Sequence, residues 1–199
     1  MSDLNRMAVP ERIPVMILFA ETRGFTRMSE ILGPAVVVAC LADFFNMVSM
    51  VVERHQGTVI NLLNDTLVAT FAGDDNAQRA VRAAQEIRQE FGTLAETWER
   101  EFGLHVAVAM GLHCGDIVLG PASAGMPVRQ LAIGDSVSVA ERLLHRARAG
   151  EFVLSKAIMD ALAIAQYSLD AEELPALKIP PRPPFRIFGV LLDTRLDFT

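Results

Sequence analysis

The fold is most clearly indicated by residues 13–26, which read IPVMILFAETRGFT. The run Ile13–Ala20 is apolar without alternation, which predicts a strand buried on both faces in the middle of a sheet. Glu21 follows at the carboxyl end of this strand, and Gly24 indicates a turn directly after it. We therefore expect a carboxylate at one edge of the sheet, beside a glycine turn.

The flanking sequence predicts helices packed on a mainly antiparallel sheet. Apolar residues at helical spacing indicate a helix from Pro34 to His55 and a second helix that begins after Asp75, its expected N-cap. Other expected elements are strands at 58–63, 66–71, 104–112, 116–119, 152–154 and 185–192, and helices at 136–148 and 156–164. This order predicts an α+β fold with a ferredoxin-like split βαβ core. A length of 199 residues favours a single domain over 1–199, with its core at about 13–192.

A predicted hairpin brings a second carboxylate to the same edge. The strands Thr58–Leu63 and Thr66–Phe71 are separated only by Asn64 and Asp65, residue types that suit a two-residue turn. Asp65 would then lie at the tip and face Glu21. Two converging carboxylates suit Mg²⁺, which completes its coordination shell with phosphates and water. Spacing alone also fits two solvated turn residues.

Composition excludes several classes of partner and location. The net charge of −6 comes with no run of like charges, so clustered cations for a nucleic-acid polymer are absent. Cys40 and Cys114 lie far apart, and the start of the sequence does not resemble a signal peptide, so we expect reduced thiols in the cytoplasm. The most lipid-like stretch, 31–52, contains Pro34 and Asp43, and we expect no membrane span.

Four segments, in order along the chain, resemble the signatures of the class III adenylate and guanylate cyclase catalytic domain. They are FAETRGFTRMSE (Phe19–Glu30), RHQGTVINLLNDTLVATF (Arg54–Phe71), GLHCGDIVLG (Gly111–Gly120) and LAIGDSVSVAERL (Leu131–Leu143). A closing segment, LKIPPRPPFRIF (177–188), resembles the family's last motif, in which a basic residue near a proline turn precedes the final strand. The resemblance covers most of the chain.

The resemblance implies an activity and a set of site residues. A nucleoside triphosphate would be converted to a 3′,5′-cyclic nucleotide and pyrophosphate, and ATP and GTP are the expected substrates. The reaction would use two Mg²⁺ or Mn²⁺ ions at the interface of a homodimer. On the metal side, the implied residues are Glu21 and Asp65 as ligands, the carbonyl of Thr22, and the amides of Gly24, Phe25 and Thr26. The remaining implied residues are Asn61 and Leu131 for the base, Ser138 for the ribose, Arg142 from the partner chain for the transition state, and Arg182 for a phosphate. Arg182 equally fits a solvated arginine in a proline-rich turn.

Several of these positions differ from the family pattern. Glu21 stands where the family has Asp, and Ser138 stands where the family has an Asn that orients the ribose. Asn61 and Leu131 stand where the family has a polar pair that recognises the purine. Leu131 cannot hydrogen-bond a base edge, so we expect weak selectivity among nucleotides. Two hypotheses remain open: an active, divergent cyclase, and a catalytically inactive cyclase-like module for dimerisation or nucleotide sensing in signalling.

The helix from Pro34 to His55 also bears on assembly. Its apolar residues lie nearly all around the circumference, more than one sheet face can cover. We therefore expect a homodimer that covers its outer face.

Overall fold

The structure is a computed structural model that describes residues 11–121 and 130–191. In these two ranges the chain forms eight strands and five helices. In chain order they are β1 (Glu11–Arg23), α1 (Phe25–Ile31), α2 (Pro34–Arg54), β2 (Thr58–Leu63), β3 (Thr66–Phe71), α3 (Asn76–Phe102), β4 (Ala107–Pro121), β5 (Gln130–Ile133), α4 (Asp135–Arg146), β6 (Phe152–Ser155), α5 (Lys156–Ile164), β7 (Glu172–Leu177) and β8 (Phe185–Val190).

The strands form one mainly antiparallel sheet. Their order is β2-β3-β1-β4-β6-β8-β7, and β5 pairs with the end of β4 outside this path. Only β4 and β6 pair in parallel in the part of the sheet that the structure describes. The first four strands in that order, with α2 and α3 as their crossover helices, form the predicted split βαβ core. The predicted α+β class is confirmed.

β1 is buried on both faces, as its uninterrupted apolar run predicts. It lies between β3 and β4 and pairs with β4 along its whole length. Alternate side chains enter two separate cores: Leu18 and Ala20 pack with residues of α2 and α3, whereas Ile17 and Phe19 pack with residues of α4. The alternation continues past the core, so Glu21 leaves the strand on the α4 face.

The predicted hairpin is present with its predicted bounds. β2 and β3 pair antiparallel, and Leu63 lies opposite Thr66, so Asn64 and Asp65 form the turn. Asn64 has a φ of 52°, in the left-handed region that Asn enters more readily than most residues. The turn chemistry therefore fixes where Asp65 lies.

α2 has one buried face and one exposed apolar face. Val48 and Val51 belong to the core, whereas Val38 and Met50 are 66% and 56% exposed. The homodimer that would cover this outer face stays a prediction. With a mean hydropathy of 2.1 over 18 residues, α2 passes a length-and-composition test for a membrane span, a test that a core helix also passes.

α4 packs directly on the backbone of β4. A Cβ atom at Gly111 would collide with the backbone of Ala140 and Leu144, and one at Gly115 would collide with Ser136. Only glycine allows this close approach at the two positions. The two glycines therefore fix the position of the helix that carries Ser138 and Arg142.

Some elements differ from the sequence-based expectation. Residues 107–121 form one continuous strand, because Gly115 stays paired within the strand while α4 packs closely against it. Asp75 precedes α3 but has a φ of 52° and makes no side-chain capping hydrogen bond, so it marks the helix start without capping it. The sequence reasoning did not predict α1, β5 or β7; in β7, two glutamates and Pro175 conceal an edge strand. Leu192, the expected end of the last strand, lies outside the described residues.

Candidate active site

Two acidic residues lie beside each other at one end of the sheet. Glu21 of β1 pairs in register with Thr66, the first residue of β3. Asp65 immediately precedes that residue, and its carbonyl accepts a hydrogen bond from the N–H of Thr22 at 3.4 Å. The structure thus brings Glu21 and Asp65 together, as the hairpin predicts. Their role as metal ligands stays a prediction.

The surroundings of Asp65 disfavour its negative charge. Burial raises the pKa of Asp65 above its usual range, and the nearby charge of Glu21 raises it further. A backbone hydrogen bond and the positive charge of Arg23 act in the opposite direction. A cation bound between the two carboxylates would relieve both unfavourable effects.

Arg23 joins this acidic pair to α4, and the sequence reasoning missed it. Its Nη1 donates to the carboxylate of Glu21, while its Nη2 donates to the carbonyls of Leu144 at 2.8 Å and Ala147 at 3.2 Å. The available signal was its spacing, because residues two apart on a strand point to the same face. The α4 partners, however, could not be identified without the fold.

The donor atoms at this edge are of the kind that Mg²⁺ and Mn²⁺ prefer. Carboxylate oxygens of Glu21 and Asp65 and the backbone carbonyl of Thr22 are hard oxygen ligands. Residues 11–121 and 130–191 contain no group of three or more His, Cys, Asp and Glu side chains that could hold a metal. A cation here would therefore need further oxygens from a bound phosphate or water.

The predicted glycine turn links β1 to α1. Gly24 has a φ of 97°, and a Cβ there would lie 3.0 Å from the carbonyl oxygen of His105. Both observations require glycine. Phe25 and Thr26 then begin α1, where first-turn amides have no acceptor within the helix. These amides are thus without partners inside the helix, and their contact with a phosphate stays a prediction.

Ser138 and Arg142 occupy one exposed face of α4, four residues apart. Arg182 lies near the start of the same helix, because its guanidinium pairs with the carboxylate of Asp135. It is therefore neither simply solvated nor free to reach a phosphate without exchanging this partner. The sequence reasoning did not identify Asp135.

The candidate base-recognition residues lie on β2 and β5. Asn61 is exposed on β2, just after a bulge that shifts the register at Val59. Leu131 lies on β5, where it pairs with Gly120, and β5 lies alongside β2. The fold thus brings these two positions to the same region, although the side chain of Leu131 lies outside the description.

Arg182 and the two carboxylates lie toward opposite ends of β1. The start of α4 contacts Asp116, which pairs with Pro14, seven residues before Glu21. Seven residues of extended strand correspond to about 23 Å. A single chain therefore does not bring Arg182 to the Glu21 and Asp65 pair.

Comparison with known proteins decides the family. The chain matches the family model for the adenylate and guanylate cyclase catalytic domain over residues 7–182. It belongs to this family.

Curated relatives agree with this assignment, and a solved structure shows the same fold. The cyclase domain is 32% identical to adenylate cyclase 1 of Rhizobium meliloti over 137 residues, which is 66% of this chain and 20% of that protein. It is 29% identical to the adenylate cyclase of Anabaena cylindrica over 131 residues, 64% of this chain and 26% of that protein. The chain thus spans about a quarter or less of the length of these relatives. The crystal structure of the adenylyl cyclase CyaB from P. aeruginosa has a TM-score of 0.82 at 22% identity, covering 96% of this chain and 100% of that one.

One histidine in the third signature segment of the cyclase domain is a packing residue. His113 is buried, and its Nδ1 lies 2.8 Å from the Oγ of Ser155. Burial lowers the pKa of His113 to about 4, so the ring is neutral at physiological pH. His113 is therefore held by packing and by its contact with Ser155.

Proposed function

We propose that this cyclase domain is a divergent nucleotidyl cyclase that converts a nucleoside triphosphate into a 3′,5′-cyclic nucleotide and pyrophosphate. The observation that carries the proposal is the juxtaposition of Glu21 and Asp65, next to a glycine turn, in a chain of the cyclase family. Mg²⁺ or Mn²⁺ would be the cofactor, because the available donors are oxygens.

The reaction would proceed within one nucleotide. The ribose 3′-hydroxyl gives its proton to water and its oxygen bonds to the α-phosphorus, while the bond from that phosphorus to the leaving pyrophosphate oxygen breaks. Two bound divalent cations would supply charge neutralisation for the triphosphate and activation of the 3′-hydroxyl. Glu21, Asp65 and the carbonyl of Thr22 would hold these cations, and the amides of Phe25 and Thr26 would orient the phosphates.

The complete site would form between two copies of the chain. Arg182 lies toward the opposite end of β1 from the carboxylates, and Ser138 and Arg142 are exposed on α4. A homodimer would let α4 of one copy face the carboxylates of the other. Arg142 would then stabilise the charge that develops on the phosphate in the transition state.

ATP and GTP are the first substrates to examine. A structural relative, the guanylate cyclase domain of RhGC from Catenaria anguillulae, was solved in complex with GTP, with a TM-score of 0.78 and 17% identity to this chain. The protein would hold the nucleotide mainly through its phosphates, which all nucleoside triphosphates have in common. Asn61 and Leu131 offer few polar contacts to a base, so we propose weak selectivity among nucleotides.

An inactive module for dimerisation or nucleotide sensing is the second candidate. The specific observation that favours it is the contact between Arg23 and Glu21, which occupies one candidate metal ligand. Ser138 also lacks the carboxamide that the family uses to orient the ribose. Under this alternative, nucleotide would bind without release of pyrophosphate.

Mixing two inactive variants would test both turnover and the shared site. Asp65→Asn removes a ligand on the metal side, and Arg142→Ala removes the group proposed to come from the partner. Each variant alone should be inactive, but a mixed dimer has one site in which both residues are intact. Equal mixing should therefore restore about a quarter of the parent's metal-dependent pyrophosphate release.

The control is a mixture of Asp65→Asn with Asp170→Asn, an exposed carboxylate between α5 and β7. Asp170→Asn alone should keep full activity. No recovery in the Asp65→Asn and Arg142→Ala mixture, despite an active parent, would contradict the shared site. Nucleotide binding without pyrophosphate release by the parent, with ATP, GTP, CTP or UTP and Mn²⁺, would favour the inactive module.

A further inference from the structure

Arg23 is the residue through which the acidic edge contacts α4. It is the last residue of β1, and its side chain is 28% exposed, against 17% for that of Glu21. A second arginine on the same strand, Arg12, also pairs with a carboxylate, that of Asp116, but these side chains are 75% and 49% exposed. The two pairs share their chemistry and differ in burial and in what else the arginine touches.

The electrostatic surroundings explain why a positively charged side chain is needed at position 23. The carboxyl end of a helix carries a partial negative charge on carbonyls without partners in the helix. Glu21 leaves β1 on the face that α4 covers, so its carboxylate lies near that negative end. Arg23 lies between them and donates to both, which offsets the repulsion.

The geometry uses the shape of the guanidinium as well as its charge. One nitrogen contacts Glu21, while the other contacts the carbonyls of Leu144 and Ala147. A planar group with several N–H donors in fixed directions can make these contacts at once, whereas the compact ammonium of lysine cannot span them. Arg23 thus connects two elements that are far apart in the chain.

On the basis of the proposed function, we propose that Arg23 is a positioning residue that holds Glu21 against the carboxyl end of α4 and competes with a divalent cation for that carboxylate. A cation that binds Glu21 must displace the guanidinium or share the carboxylate with it. Cation binding is therefore coupled to the position of α4, the helix that carries Ser138 and Arg142.

Three variants of the full chain separate charge from geometry. Arg23→Gln removes the charge, and Arg23→Lys keeps the charge but loses the planar guanidinium with its several N–H donors, the guanidinium fork. Arg12→Gln removes a matched charge from the other end of β1. Mn²⁺ alone, titrated by electron paramagnetic resonance, measures competition at the carboxylates. Hydrogen exchange at the amide of Ala147, which bonds to the carbonyls of Leu143 and Leu144, measures the order of the last turn of α4.

The two measurements should respond differently. Arg23→Gln should bind Mn²⁺ about tenfold more tightly than the parent, because a half-buried competitor is gone. Its Ala147 amide should exchange about fivefold faster, because two hydrogen bonds to α4 are lost. Arg23→Lys should keep the parent's Mn²⁺ affinity within about twofold but exchange as fast as Arg23→Gln. Arg12→Gln should change neither quantity.

The outcomes distinguish this inference from the proposed function. If Arg23→Gln binds Mn²⁺ more tightly but no chain releases pyrophosphate, the inference stands and the cyclase proposal fails. If the parent turns over and Arg23→Gln has the parent's Mn²⁺ affinity and Ala147 exchange, the inference is wrong and the cyclase proposal stands. If neither the parent nor Arg23→Gln binds Mn²⁺, the inference is wrong, and pyrophosphate release alone then decides the cyclase proposal. Full protection of Ala147 in Arg23→Lys would contradict the role of the guanidinium fork.

Discussion

The metal side and the base side of the candidate site differ in how much of the family's chemistry they keep. The metal side has two adjacent carboxylates, Glu21 and Asp65, at the ends of paired strands. The base side has an exposed amide, Asn61, and an apolar residue, Leu131. The triphosphate is common to all nucleotides, whereas the base distinguishes them. The comparison is therefore the basis for the proposal of weak selectivity among nucleoside triphosphates.

The position of each region in the fold accounts for this difference. The metal side is attached to β1 and β3, in which residues 15–20 and 67–71 are buried, so its geometry is fixed by the core. β2 is an edge strand with a bulge beside Asn61, and β5 lies outside the main strand order. Substitutions at such positions disturb little packing. The base side can therefore change without loss of the fold.

The largest expected effect is on the metal side. Asp65→Asn should weaken Mn²⁺ binding in the presence of a nonhydrolysable nucleoside triphosphate by at least about 100-fold, because a ligand is lost. Calorimetric titration measures the change. If Asp65→Asn bound Mn²⁺ with the parent's affinity, the metal side would not depend on Asp65, and the proposed difference between the metal side and the base side would be wrong.

The stability of Asp65→Asn serves as its control. The raised pKa of Asp65 means that folding disfavours the charged carboxylate, so this residue opposes stability once the pH exceeds its unfolded pKa. A neutral amide should therefore leave Tm unchanged or slightly higher at pH 7, and the gain should vanish as the pH falls below 4. A lower Tm at pH 7 would instead attribute lost binding to unfolding.

A smaller effect is expected on the base side. The family's polar pair, restored by Asn61→Lys with Leu131→Asp, should raise ATP affinity about tenfold, since hydrogen bonds to charged groups are the stronger ones. Competition titrations with ATP, GTP, CTP and UTP measure both affinity and selectivity.

The matched control for that variant is Thr58→Lys, which adds the same charge at another exposed position of β2. Its nucleotide affinity should stay close to that of the parent. A parent that already prefers one base strongly would contradict weak selectivity, because an unidentified polar group would then read the base.

The smallest expected effect is at Glu21. Glu21→Asp restores the family's residue and draws the carboxylate back by about 1.5 Å, or one methylene. Mn²⁺ affinity in the presence of nucleotide should stay equal or rise by up to about threefold, because the shorter side chain also weakens the contact with Arg23. Weaker binding would show that the backbone has adapted to glutamate.

Much of the fold was predictable from local signals. Three of these signals depend on residues close together in sequence. They are the buried run Ile13–Ala20, the hairpin at Asn64 and Asp65, and the apolar residues at helical spacing in α3. α1 and β7 were missed because a seven-residue helix and an edge strand with Pro175 have weak periodicity. The candidate residues were chosen by motif, and their assigned roles stay predictions.

Local signals were enough to predict the class of fold, the hairpin that brings Asp65 to Glu21, and the family, because periodicity, turn chemistry and motifs are properties of neighbouring residues. The packed fold was needed to show that Arg23 contacts Leu144, 121 residues away, that Asp135 pairs with Arg182, and that Arg182 lies apart from the carboxylates. Such contacts depend on how helices and strands pack across the chain, and packing is not encoded in any local pattern.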